Sequence, residues 1–263
     1  MPVRFEAGFA VVPARVGGQA AEFVLDTGAA DMLVTPEAAA RWELAADPAR
    51  LTRLLGTGGE ATAPNAVLAG LQLGESAVAA RSVPVQELPA VVHADGVLGA
   101  AVLRGFDIEL DLVAGRVRLW EIKGCPAGRE PLPVPFTTVA LGMMEGETVI
   151  PVVVNGVRLT AVLDSGARST VLRPEAAARV KAVAAGRAGA AMGVDGQLVA
   201  AAQMRVRTLA VGWDTARDVV VAVAPLEIGG ADMLLGMDWL RQRRSWIGYA
   251  AGRFAVALPY AWR

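Results

Sequence analysis

One cysteine, one histidine and two tyrosines are all that this chain of 263 residues holds of those three types. The lone cysteine, Cys125, excludes an internal disulfide and leaves the redox compartment unreadable. One histidine and one cysteine cannot fill the usual zinc ligand set, so no metal is expected. No Gly-x-Ser-x-Gly string surrounds His93, which removes support for a serine triad and makes His93 a surface or rim residue. No Gly-Lys-Ser/Thr follows the glycines near residue 56, so that loop is not a phosphate cradle. No apolar run approaches the roughly 20 residues that span a bilayer. A formal net charge of −1 gives no basis for binding nucleic acid or an anionic membrane. Met1 to Gly8 contain no apolar signal core. As it stands the sequence implies a cytoplasmic protein, and a periplasmic one follows only if a signal peptide has been removed.

What the chain has in quantity is apolar residues (54%), 29 glycines and 15 prolines. That is the composition of a globular, turn-rich protein of one large domain or two small ones. It also has a repeat. Phe23-Val24-Leu25-Asp26-Thr27-Gly28-Ala29 returns as Ala161-Val162-Leu163-Asp164-Ser165-Gly166-Ala167, an offset of 138 residues. The flanks repeat in step. Pro36-Glu37-Ala38-Ala39-Ala40 matches Pro174-Glu175-Ala176-Ala177-Ala178, and Val97-Leu98-Gly99 matches Leu234-Leu235-Gly236. Gly56 and Gly59 match Gly193 and Gly196. A shift shared by the whole sequence is the mark of internal duplication.

Each copy reads mostly as strand. Phe9 to Val16 and Gln19 to Leu25 form a predicted hairpin about Gly17-Gly18, and Asn155-Gly156 is the matching turn. Thr35 is the predicted N-cap of a short helix with Pro36 in its first position. A second short helix is predicted over 98–104, then a hairpin from Asp107 to Trp120. The prolines of 124–135 predict an extended linker or edge strand. The expected organisation is a first lobe over 1–123, a linker over 124–145 and a second lobe over 146–263.

These motifs resemble the aspartic peptidases of the pepsin and retropepsin type. Three signposts recur in order in each half: the apolar-apolar-Asp-Thr/Ser-Gly loop, a Gly-rich flap tip, and an apolar-apolar-Gly segment before a short helix. The size is similar to a fused pair of retropepsin-like units, as in bacterial retropepsin-like proteins. The resemblance implies an all-β, two-lobed, pseudo-twofold fold, each lobe a closed β-barrel with short helices. It implies an aspartic endopeptidase with no cofactor and no metal, a polypeptide substrate, and a monomer that builds its own pseudo-dimer. The alternative is a non-catalytic peptide-binding module on the same fold.

On this resemblance Asp26 and Asp164 form the catalytic dyad, two carboxyls sharing one proton. Thr27 and Ser165 lock the loops across the lobes, while Gly28 and Gly166 permit close approach. Gly99 and Gly236 are the glycines over which the loops pack. Gly56, Thr57, Gly58 and Gly59, with Gly193, Val194, Asp195 and Gly196, are the flap tips that fold over an extended substrate. Ala29 and Ala167 stand where pepsin-like enzymes carry serine, which implies a weakly acidic optimum. Asp31 and Arg168, which differ between the copies, are candidates for contact with substrate or with each other. Arg241, Arg243 and Arg244 read as a solvated helix end, and Trp120, Trp213 and Trp239 as core.

Overall fold

The computed structural model describes residues 1–56, 59–122, 132–186, 189–192 and 198–258. In the first lobe the strands Phe9–Val16 and Gln19–Leu25 pair as a hairpin, with Val11 opposite Val24. In the second lobe Glu147–Val154 and Val157–Leu163 do the same, with Val149 opposite Val162. Both turns need left-handed backbone at two successive residues. Gly17 and Gly18 provide it at φ +57 and +81, Asn155 and Gly156 at +49 and +83. Asn155 adds a local reason: its Oδ1 accepts from the amides of Arg207 and Thr208, and its Nδ2 donates to the Val180 carbonyl.

A short strand from the end of each half then slides in beside the hairpin. Gly96–Leu98 runs parallel to Gln19–Leu25, and Met233–Leu235 runs parallel to Val157–Leu163. Parallel neighbours are covered on both faces, which is why these segments are apolar without alternation. Gly96, Val97, Leu98, Met233, Leu234 and Leu235 are all buried. Long hairpins complete the lobes, Ala45–Gly56 with Gly59–Leu68 in the first and Leu198–Val211 with Asp214–Val223 in the second.

The four helices among the described residues are short. They are α1 (Pro36–Arg41), α2 (Ala100–Leu103), α3 (Pro174–Arg179) and α4 (Met237–Leu240). α1 carries the expected cap, with Thr35 Oγ1 accepting from the Ala38 amide at 3.1 Å. α3 has the same sequence but begins after Arg173, which has no capping oxygen. Its backbone (φ −67, ψ 151) is nearly that of Thr35 (φ −75, ψ 155), so a hydroxyl could be accepted there without rearrangement. Arg173→Thr is expected to stabilise the protein by about 0.5–1 kcal/mol, and Thr35→Ala to cost about as much. Denaturant midpoints of the two variants check both signs.

The lobes are joined by one sheet to which both contribute. Its order is Arg116–Glu121, Phe106–Asp111, Arg244–Gly248, Arg253–Ala257, Phe136–Ala140. The seam is the antiparallel pair of Phe106–Asp111 with Arg244–Gly248, Ile108 lying opposite Ile247. Met1 to Val3 extend one edge through bonds with Gly115 and Val117. Phe136–Ala140 extends the other edge. It and Gly142–Met144 fall in the segment assigned to the linker on sequence, of which 123–131, with Cys125, lie outside the described residues.

Two sequence expectations fail at this junction. Arg243 and Arg244 are not a solvated helix end: each side chain is 13% exposed. Arg243 Nε donates to Asp214 at 2.5 Å while its guanidinium sits 4.0 Å from the Trp239 ring centre. Arg244 bonds the buried Glu109, which Arg118 also holds at 3.0 Å. Arg241 alone is exposed. Trp213 is not core but 83% exposed, because Gly212 (φ +58) turns the chain just before it. Trp239 is buried as expected, and Trp120 is partly buried, its ring tilted 40° against Trp246 with centres 4.7 Å apart. His93 is exposed, its Nδ1 2.5 Å from Glu6.

Candidate active site

The two hairpins of like design end in Leu25 and Leu163, and the chain leaves each sheet at an aspartate. Asp26 N donates to the Leu98 carbonyl and Asp164 N to that of Leu235, both at 3.1 Å. Each loop is thus hung from the parallel strand beside it. The loop then folds back so that its own amides meet its own carboxylate. Gly28 N and Ala29 N donate to Asp26 Oδ1 at 2.9 Å, and Gly166 N donates to Asp164 Oδ1 at 2.8 Å.

Across the pseudo-twofold axis the next residues interlock. Thr27 Oγ1 donates to the Leu163 carbonyl at 2.6 Å, and Ser165 Oγ donates to that of Leu25 at 2.7 Å. The same two hydroxyls accept the Ser165 and Thr27 amides, both at 3.0 Å. Both hydroxyl residues are buried, so every bond removes a group that would otherwise be left unpaired away from water. Glycine follows because nothing larger fits. A Cβ on Gly28 would lie 2.5 Å from the Asp164 carboxyl carbon, and one on Gly166 would overlap the Asp26 carboxylate. Each glycine therefore abuts the opposite lobe's aspartate.

The helices α2 and α4 lock the loops from below. Ala100 N and Ala101 N donate to the carbonyls of Ala29 and Ala30, and Met237 N and Asp238 N to those of Ala167 and Arg168. The unpaired amides that begin any helix are used up in this way. Gly99 and Gly236 make the approach possible: a Cβ there would overlap the Asp31 carbonyl in one lobe and lie 2.6 Å from the Ser169 carbonyl in the other.

Asp31 and Arg168 do not meet. Asp31 lines an open hollow of about 550 Å³ with Asp47, Arg50 and Arg81, whereas Arg168 lies against Gly8. Of the flap residues, Gly56 and Gly59 close the hairpin of the first lobe. Thr57, Gly58, Gly193, Val194, Asp195 and Gly196 lie outside the described residues.

Electrostatics set Asp164 apart from ordinary carboxyls. Burial, foremost, and the charges of Asp26 and Glu147 push Asp164 well above the usual carboxylate range, against the pull of the Gly166 and Ala167 amides. Glu147 was not anticipated. It begins the strand Glu147–Val154 and is pushed up to about 7 by burial and by Asp26, with Arg104 opposing. The signal for it lay in the repeat, since an offset of 138 sets Glu147 against Phe9. Arg104, at the end of α2, reaches across the lobes to donate to the Gly146 carbonyl.

The family "gag-polyprotein putative aspartyl protease" matches residues 150–242, and the family "Aspartyl protease" matches residues 12–102. The chain is a tandem of two aspartyl protease domains. No curated protein matches the sequence. Among solved structures, the aspartic proteinase from Irpex lacteus is similar over 97% of this chain and 96% of its own, with a TM-score of 0.61 at 14% identity. At that identity the likeness is one of fold, and it runs the length of both molecules. The tandem aspartyl protease is thus two-lobed, mostly β, with one Asp-Thr/Ser-Gly loop from each domain meeting between the lobes. No helix among the described residues is long and apolar enough to cross a membrane.

Proposed function

We propose that this tandem aspartyl protease is a metal-independent endopeptidase whose dyad is Asp26 and Asp164, complete within one chain. The observation that carries the proposal is the reciprocal lock of Thr27 and Ser165, which holds one carboxyl from each lobe against the glycine of the other. A hydrolase that works without a metal needs a base for water and an acid for the carbonyl oxygen. Two abutting carboxyls that cannot both ionise supply both.

Asp164, pushed up by burial and by its neighbours' charge, is the member assigned the shared proton. Its partner in this scheme is Asp26, whose Oδ1 accepts from two loop amides. Water placed between them attacks the peptide carbonyl carbon. Its proton passes to Asp26 while that of Asp164 passes to the carbonyl oxygen. The resulting gem-diol collapses as Asp26 gives its proton to the amide nitrogen, one gem-diol hydroxyl returns a proton to Asp164, and the C–N bond breaks. An amine and a carboxylic acid leave, and the dyad again holds one proton. Gly28 and Gly166 keep the path to the carboxyls clear.

Peptides acetylated at one end and amidated at the other separate this reading from its rivals. Internal cleavage that persists with excess chelator is expected at weakly acidic to neutral pH. Trimming of unblocked ends only, or loss of activity on chelation, overturns the proposal.

A further inference from the structure

The two lobes differ at one ladder position beside the dyad. Continued two residues past the Val11–Val24 pair, the first hairpin sets Phe9 opposite Asp26. Continued equally past Val149–Val162, the second sets Glu147 opposite Asp164. Residues opposed in an antiparallel ladder share a face of the sheet, so each side chain belongs to its aspartate's side. Phe9 is fully buried and packs in an apolar cluster with Val11, Val24 and Val97. Glu147 is half-buried and keeps part of its surface open. Among the described residues no cation pairs with it within 4 Å. Arg104, the cation that acts on it, donates instead to the Gly146 carbonyl.

A carboxylate half out of water, without a partner among the described residues and beside two other carboxyls, is costly unless something positive arrives. Resting on the dyad assignment above, we propose that Glu147 is a specificity residue whose carboxylate takes the side-chain cation of a Lys or Arg flanking the scissile bond on the second lobe's side. The first lobe, sealed by Phe9, offers no such charge. The groups that face Glu147 are Asp26, Asp164 and Arg104. Arg104 also acts on Tyr249, whose hydroxyl lies 3.3 Å from Thr148 Oγ1. Titrating near 7, Glu147 gains its charge as the pH rises through neutrality. The preference for a basic residue should strengthen over the same range.

The test compares reduced-amide peptides that bind but are not cut, matched except for Lys or norleucine next to the reduced bond. Wild type is expected to bind the Lys peptide about tenfold to a hundredfold more tightly at pH 8, the worth of one charge-assisted hydrogen bond. Glu147→Gln should bring the ratio close to one. Glu147→Lys should shift preference to a Glu peptide. An unchanged Lys-to-norleucine ratio in Glu147→Gln overturns the inference, as does a wild type that binds neither peptide. Because binding is read without turnover, a failed dyad assignment shows separately, as cleavage that survives Asp26→Asn.

Discussion

Asparagine at either Asp26 or Asp164 is expected to lower kcat on a cleaved peptide by about 10³-fold or more, with the fold intact. Asparagine keeps the size of the side chain and a carbonyl oxygen to accept the loop amides, so Gly28, Ala29 and Gly166 retain their partner. It can neither take a proton from water nor hold the shared one. The two changes are not additive, since the carboxyls act as a unit, and the double variant should be no slower than the worse single one. Steady-state rates on one peptide substrate decide this, and a single variant with wild-type kcat would refute the dyad.

The same Asp164→Asn variant should become more stable than the wild type as pH rises. Asp164 titrates well above its ordinary 3.8, so over that window the native state holds a proton that the unfolded chain has already lost. The raised carboxyl supports the native state fully below its unfolded pKa, and that support is lost as pH climbs through the native titration. Asparagine does not titrate. Melting temperatures of wild type and variant should agree in acid and separate towards neutrality, the variant melting higher. Active sites often carry such a cost to stability.

The second large effect belongs to a methyl group. Gly166→Ala is expected to lower activity by at least about 10²-fold and to destabilise the protein by about 1–3 kcal/mol. The new Cβ would overlap the Asp26 carboxylate, which cannot withdraw because two amides fix its Oδ1. Nor can the Gly166 loop retreat while Ser165 is bonded to Leu25 and Thr27. Gly189→Ala is the control, because a Cβ there meets nothing within 4 Å and the backbone needs no left-handed conformation. Rates and melting curves of both variants check the contrast. An active Gly166→Ala would mean that the loops are less tightly held than their hydrogen bonds indicate.

Much of this architecture was legible because it is locally encoded. The paired hairpins, the Thr35 cap and the Asp-Thr/Ser-Gly loops each occupy a few consecutive residues, and duplication printed the hairpins and loops twice. What escaped depends on distant partners. Arg243 and Arg244 look like any exposed basic run until Asp214 and Glu109 are brought to them from 29 and 135 residues away. Trp213 has the apolarity of a core residue, and only the turn at Gly212 puts it outside. Glu147 was visible as a mismatch with Phe9, but nothing local says that the mismatch stands next to an aspartate. Asp31 and Arg168 show the converse error, since charges that follow the two matching loops need not face one another.

The shared sheet has a consequence for the order of events at the ribosome. Its seam strand, Arg244–Gly248, and the neighbouring Arg253–Ala257 are among the last parts of the described chain to be synthesised. The first domain can collapse early, yet its aspartate then stands alone, with Thr27 lacking the Leu163 carbonyl. Domains fold largely as units during synthesis, and contacts between distant segments form late. A half-made chain therefore has one carboxyl and no opposing glycine. The paired site is complete only once the second domain's hairpin and the strands that join the lobes have been made.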